Sequence, residues 1–384
     1  MAYVPDPADV TMPTDAQPAE SAQAEFRALK AYLATLAGLG GGMNLFRKNV
    51  IIGGDFNTNP WQRGVSFVSP AVNTYLADRW AATFGGVATY TFRKEAGPGD
   101  TGSGYVANCL EVEVTGASGA LGAGDHAALY QKIEGYNFAQ IARRTAVVSF
   151  WHKHSVAGQY YVGATNNAKT KGFISAAYQQ TVADTWEFSS VILEATPDAG
   201  VWEYTNSTGL QLFFAFAAGA NYQGIPGSWV DLAAQVKFAG ADQLNLAAAV
   251  GNKFRIAHVQ LEAGNAASPF EWLPFSSVIQ LCQRYYYKTY ELQTPPGSAT
   301  STGAIYFGTI NGGTARARVQ FPVTLRAAPV ITTYSTPGVP GIFDGTTSTI
   351  VLMNSMTSVA LECSNGGSLD VRPVGHVVAD AELY

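Results

Sequence analysis

Five side chains with chemical reach stand close together early in the chain: Trp61, Arg63, Asp78, Arg79 and Trp80. The two tryptophans could stack on sugar rings while Asp78 and the arginines hydrogen-bond hydroxyls. The other reading puts Trp80 in a core and ties Asp78, Arg79 and Arg63 into a network at a sheet edge. A second set is aromatic and lies in polar surroundings. Trp202, Tyr204, Tyr222 and Trp229 sit beside Asn, Gln, Gly and Ser, and they are the expected ligand-binding residues.

Other groupings offer less. His152 and His154 lie two apart on an expected strand, so both point to one face. They could hold a metal, but no nearby Cys or paired carboxylate supplies a third ligand. The expectation is a solvated strand face. Glu111 and Glu113 also share a face, and paired carboxylates could hydrolyse a glycosidic bond or bind calcium. On an outward strand face they are expected to be simply solvated. Cys109, Cys282 and Cys363 are isolated in sequence, which argues against a disulfide framework or a Cys-based zinc site. No nucleophile elbow, phosphate-cradling glycine loop or zinc-protease helix is present. The sequence therefore assigns no catalytic residue, no metal and no cofactor.

These side chains need strands to position them. In Leu110-Glu111-Val112-Glu113-Val114 apolar and acidic residues alternate, so the apolar ones face in and the glutamates out. Similar apolar runs fall at 89–93, 109–114, 145–151, 159–162, 186–193, 210–216, 235–238 and 254–261. Their spacing, with Gly-rich turns between, predicts a large antiparallel β-sandwich of jelly-roll type over 44–275. A boundary falls near 274–278. The segment 278–290 begins as a short helical turn and ends as an aromatic strand. A smaller C-terminal β-sandwich is expected across 276–384, with strands at 304–309, 316–321, 330–333, 350–353, 358–362 and 377–382. The fold class is mainly β.

Residues 1–43 differ in character. Pro5, Pro7 and Pro13 bias 1–17 to an extended arm. Residues 18–39 form a short helix in which Phe26, Leu29, Leu33 and Leu36 recur at 3-4-3 spacing. About two heptads are marginal alone, so this stripe asks for identical partners or a docking groove. Gly38, Gly40, Gly41 and Gly42 make a hinge.

Composition narrows the function. Charged residues are only 13% of the chain, about half the usual share, which favours β-rich, oligomeric proteins over a helical cytosolic enzyme. Net charge is −5 and no Lys/Arg block exists, so binding nucleic acid through its phosphates is not expected. The longest apolar run, 210–220, is too short to span a bilayer, so membrane insertion is not expected either. The first residues lack the basic and apolar regions of a secretory signal. Synthesis in a cytoplasm is expected, with release inside an assembly or by lysis if the protein works outside a cell.

Three stretches resemble bacteriophage tail-fibre and receptor-binding proteins. One is Trp61-Gln62-Arg63-Gly64 with Ala77-Asp78-Arg79-Trp80. The second is Gln260-Leu261-Glu262-Ala263-Gly264, then Pro269-Phe270-Glu271 and Cys282-Gln283-Arg284-Tyr285-Tyr286. The third is 319–329, through Arg326, with Ala379-Asp380-Ala381-Glu382-Leu383. The resemblance spans roughly 44–384. It implies a homotrimeric virion fibre, made in the host bacterial cytoplasm and located in the virion tail. Residues 1–39 would bind other tail proteins, Phe26, Leu29, Leu33 and Leu36 would serve trimerisation or anchoring, and jelly-roll domains similar to carbohydrate-binding modules would bind a host-surface glycan or protein. Because the Trp61–Trp80 motifs look like a shared framework, their structural reading is the one adopted. Two alternatives stay open: a structural connector or decoration without a receptor, and a fibre-borne glycan depolymerase.

Overall fold

The apolar alternation is realised as two facing six-stranded sheets. The computed structural model describes residues 47–102, 104–233, 235–307, 314–364 and 372–384. The arm, the helix with Phe26, Leu29, Leu33 and Leu36, and the hinge lie outside the described residues. Asn49–Tyr384 form one compact unit, and it carries everything that follows.

The first sheet runs Ser66–Val68, Thr89–Asp100, Tyr105–Gly116, Lys253–Ala263, Ala146–His154 and Glu187–Leu193. The second runs Val230–Asp231, Lys171–Ile174, Val162–Thr165, Thr208–Ala218, His126–Glu134 and Trp80–Gly85. Every pairing in both is antiparallel. Between them lies the main core, to which Phe92, Leu110, Val112, Phe150, Phe254 and Leu261 come from the first sheet and Trp80, Leu129, Val162, Phe173, Leu212 and Phe214 from the second. The chain crosses repeatedly between the sheets, with hairpins inside one sheet only at Thr89–Asp100/Tyr105–Gly116 and Val162–Thr165/Lys171–Ile174, which is the jelly-roll sandwich expected.

A second, smaller sandwich follows. Its central strand, Val374–Asp380, pairs with Tyr286–Lys288 and Ile305–Tyr306 on one side and with Val330–Ser335 on the other. A three-stranded sheet of Thr314–Gln320, Ser358–Ser364 and Ser348–Asn354 covers it. Phe321, Leu325, Phe343, Leu361 and Val377 fill the space between. A helix, Phe275–Gln283, leads into this part and buries Val278 and Cys282.

Three expectations need correction. No strand forms at 235–238. Phe238 instead sets its backbone and Cβ against Gly163, where a side-chain carbon would come within 2.4 Å of them, and its ring stacks on Phe213; the segment covers the second sheet rather than joining its ladder. Glu111 is not solvated. It is buried on the outer face of the first sheet, with Arg93 at 2.8 Å and Arg255 at 2.5 Å, and Arg93 also pairs with Glu113. Alternation told that the glutamates turn away from the main core, but neighbouring strands supply cations that cover them. His152 and His154 are fully buried as well. They share the core face of their strand with Phe150. His152 is bonded to Gln180 and Ser189, each at 2.9 Å, and His154 bonds Tyr178 at 3.1 Å and stacks on Phe254. Burial lowers the pKa of both rings, and for His154 the neighbouring His152 lowers it further.

Candidate functional site at the seam of the two sandwiches

The distinctive residues near the start of the large sandwich meet the last residues of the chain. Trp61 and Trp80 are buried around Phe56, whose ring lies 6.2 and 5.4 Å from theirs. Trp61 reaches this position through a positive φ of 50° and donates its indole N–H to the Phe56 carbonyl. Asp78 accepts from the Gln62 backbone and side chain, both at 2.8 Å. The Gln62 side chain also donates to the Tyr286 carbonyl, across more than two hundred residues of sequence. The structural reading of this motif therefore holds, but the edge it secures is the junction with the smaller sandwich.

The ion pairs show why. Arg79, only 1% exposed, pairs with Glu382 and lies 3.6 Å over the Tyr285 ring. Arg63 pairs with Glu382 at 3.3 Å and Asp380 at 3.6 Å, and its guanidinium lies 3.6 Å over Tyr286. On the far side Glu134 accepts from Arg284 at 2.6 Å and from the Tyr285 hydroxyl. Arg326 donates to the carbonyls of Ala381, Glu382 and Asn206. Such buried charges are tolerated only when partners and hydrogen bonds surround them. Burial opposes the charge on Arg63 and Arg79, yet Glu382 above all, with Tyr286, Asp380 and Asp78 around Arg63 and with Tyr285 and Tyr75 around Arg79, outweighs it and holds both guanidinium groups above their ordinary value. Burial also pushes the Glu382 and Asp78 carboxyls up, against the pull of the arginines.

Above this seam the surface is concave. Two adjoining cavities of about 540 and 380 Å³ share Arg63, Thr74, Tyr75 and Tyr384. Tyr286, Tyr334, Val378 and Asp380 line the larger one. Tyr75 meets Tyr384 edge to face at 5.6 Å and donates its hydroxyl to the Leu383 carbonyl. Tyr384 donates to Asp380 at 2.6 Å. The volumes fall in the ~300–1,000 Å³ range of small-molecule sites. The groove thus offers aromatic faces, one guanidinium and one carboxylate, with the two charges already paired.

None of the expected ligand residues lines this groove. Trp202, Tyr204 and Trp229 are brought together elsewhere: Phe138 stacks on Trp202 at 5.5 Å and on Tyr204 at 5.8 Å, and Trp229 meets Trp202 edge to face. The two indole N–H groups donate to the Pro197 and Glu194 carbonyls. Tyr222 stands apart, stacked on His126 at 3.9 Å. Sequence reasoning missed Tyr75, Tyr334, Tyr384 and Asp380 as a group. The signal available was the tyrosine-rich run 285–287 beside Arg284 and the closely spaced acidic pair Asp380 and Glu382. Among the described residues no group of three or more His, Cys, Asp or Glu could hold a metal, and no helix is long and apolar enough to cross a membrane.

No protein-family model matches the chain, and no curated protein matches it. Among solved structures it is similar to the family 11 carbohydrate-binding module of the cellulosomal cellulase Lic26A-Cel5E of Clostridium thermocellum, at 12% identity and a TM-score of 0.28, over 53% of this chain and 96% of that one. It is also similar to TmCBM61 in complex with β-1,4-galactotriose, at 10% identity and a TM-score of 0.29, over 57% of this chain and 100% of that one. Likeness at these values assigns no ligand to this chain.

Proposed function

We propose that this chain is a homotrimeric, non-enzymatic fibre protein of a bacteriophage virion that binds a glycan on the host bacterium. Residues 1–43 attach it to other tail proteins, with Phe26, Leu29, Leu33 and Leu36 as the trimerisation or anchoring stripe. The jelly-roll domain 44–275 and the C-terminal domain 276–384 present the binding surface. It is made in the host cytoplasm and works in the virion tail. The fibre reading is supported by the motif resemblance and by the low charge of the chain.

The observation that carries the glycan reading is the seam groove, where tyrosine faces flank an internally neutralised Arg63–Asp380 pair. A neutral sugar chain offers C–H faces to the rings and hydroxyls to both charged groups. Weak binding at each groove is multiplied by the copies tethered on one particle. The test is sedimentation of the full chain, followed by binding to a broad glycan array with Tyr334→Ala and Tyr384→Ala alongside. A trimer that binds glycans, with weakened binding in both variants, is expected. A monomer overturns the fibre reading. A trimer that binds no glycan overturns the glycan reading and leaves a structural virion component.

A further inference from the structure

A second cleft lies away from the seam, on the outer face of the first sheet. It encloses about 290 Å³ between Trp151, Phe188, Phe270 and Pro269, with Ser149 and His258 among its polar lining. Trp151 and Phe188 face each other across neighbouring strands, their rings 5.7 Å apart. Phe188 is 52% exposed, an unusual place for a large ring in a sheet whose other face makes the core.

His258 is the feature that needs a reason. In the strand Lys253–Ala263, Phe254 and Ile256 face the core, and so do Val259 and Leu261. Two residues, Ala257 and His258, lie between Ile256 and Val259, so one is surplus to the alternation. The ladder with Ala146–His154 slips there, and His258 takes a φ of 51°. A left-handed non-glycine residue on a β-bulge is a strained arrangement of the kind found beside binding sites. The ring is held parallel to Phe270 at 4.0 Å and edge-on to Trp272 at 4.6 Å. It is 3% exposed, and its Nε2 is buried without a hydrogen-bond partner among the described residues. A buried polar atom left unpaired is unfavourable and calls for an unseen partner.

We propose that this cleft binds one neutral pyranose ring, laid across the touching Trp151 and Phe188 rings and bonded through a hydroxyl to His258. The size argues for a single ring, since the volume sits at the small end of ligand sites. The absence of charge in the ligand follows from the lining, which holds no Asp, Glu, Lys or Arg. The charged ladder on the same face is closed on itself, with Arg93, Lys253 and Arg255 shared among Glu111, Glu113 and Asp184. This site is separate from the seam groove and does not depend on it.

The test uses the full chain with 5-fluorotryptophan, whose seven signals are read by fluorine NMR and assigned with Trp151→Phe. The probes are methyl glycosides of glucose, galactose, mannose, N-acetylglucosamine and rhamnose, with glucuronate and indole as controls. At least one neutral glycoside moves the Trp151 signal saturably. Phe188→Ala, at an exposed position, weakens that binding about fivefold, while Tyr384→Ala at the seam leaves it unchanged. The inference is overturned if no neutral glycoside moves the signal, if only indole or glucuronate does, or if Phe188→Ala binds as well as the parent chain.

Discussion

Replacing Glu382 by Gln tests whether the seam is held by its buried charges. The carboxylate serves two arginines, and at the 3.3 Å separation from Arg63 one pair is worth about 5 kcal/mol before desolvation, at an effective dielectric of about 20. Gln keeps the shape but removes the charge, and its amide N–H groups face guanidinium donors. Arg79 is then buried with no carboxylate. Breaking one side of a buried pair costs about 3–5 kcal/mol. That loss should appear in urea unfolding followed by tryptophan fluorescence, since Trp61 and Trp80 are buried beside the seam. Hydrogen exchange should rise first in 374–383 and 285–288, the strands that meet there. The paired change Arg79→Met with Glu382→Leu removes both charges and should regain most of the loss, because apolar groups of similar volume replace a buried pair at little cost. A Glu382→Gln protein within about 0.5 kcal/mol of the parent would refute the reasoning, since surface substitutions lie in that range. So would unchanged exchange in 374–383.

Two further outcomes follow from burial. Burial lowers the His258 pKa from the ordinary 6.5 to about 4. A histidine held neutral in the fold contributes its stability fully above pH 6.5 and loses it as pH falls toward 4, because the unfolded chain takes up the proton first. An NMR titration of the ring should give a midpoint below 5, and a midpoint above 6 would contradict the enclosure described for the cleft. The three thiols are the other case. Cys109, Cys282 and Cys363 are all buried, and burial raises their pKa, to about 12 for Cys109. None should react with a disulfide reagent in the native protein at pH 8, and all three should react in denaturant. Fast reaction of one thiol in the native state would place it at an exposed surface instead.

Much of the fold was legible in the sequence. The alternation at 110–114 located a strand and its core face, and the apolar runs located most of both sandwiches. Where reading failed, the failure had a local cause. Residues 235–238 have the composition of a strand, but Phe238 packs against the glycine at 163 as a cover. Trp202 and Trp229 sit among polar residues, yet they pack on Phe138 and on each other and give their N–H groups to backbone carbonyls.

What the sequence determined alone is which face each side chain takes along its own strand, because that depends on a period of two. Motif resemblance, and no period in the residues, marked Trp61, Trp80 and their charged neighbours as framework. Only the tertiary structure decided what stands opposite. Glu382 lies some three hundred residues from Arg79, and Arg93 and Arg255 reach Glu111 from strands on either side. Such pairings are set by the order of strands in the sheet, which crosses the chain order repeatedly, and no spacing in the sequence encodes it. The same holds for the seam groove, whose walls come from both sandwiches, and for His258, turned outward by a single surplus residue.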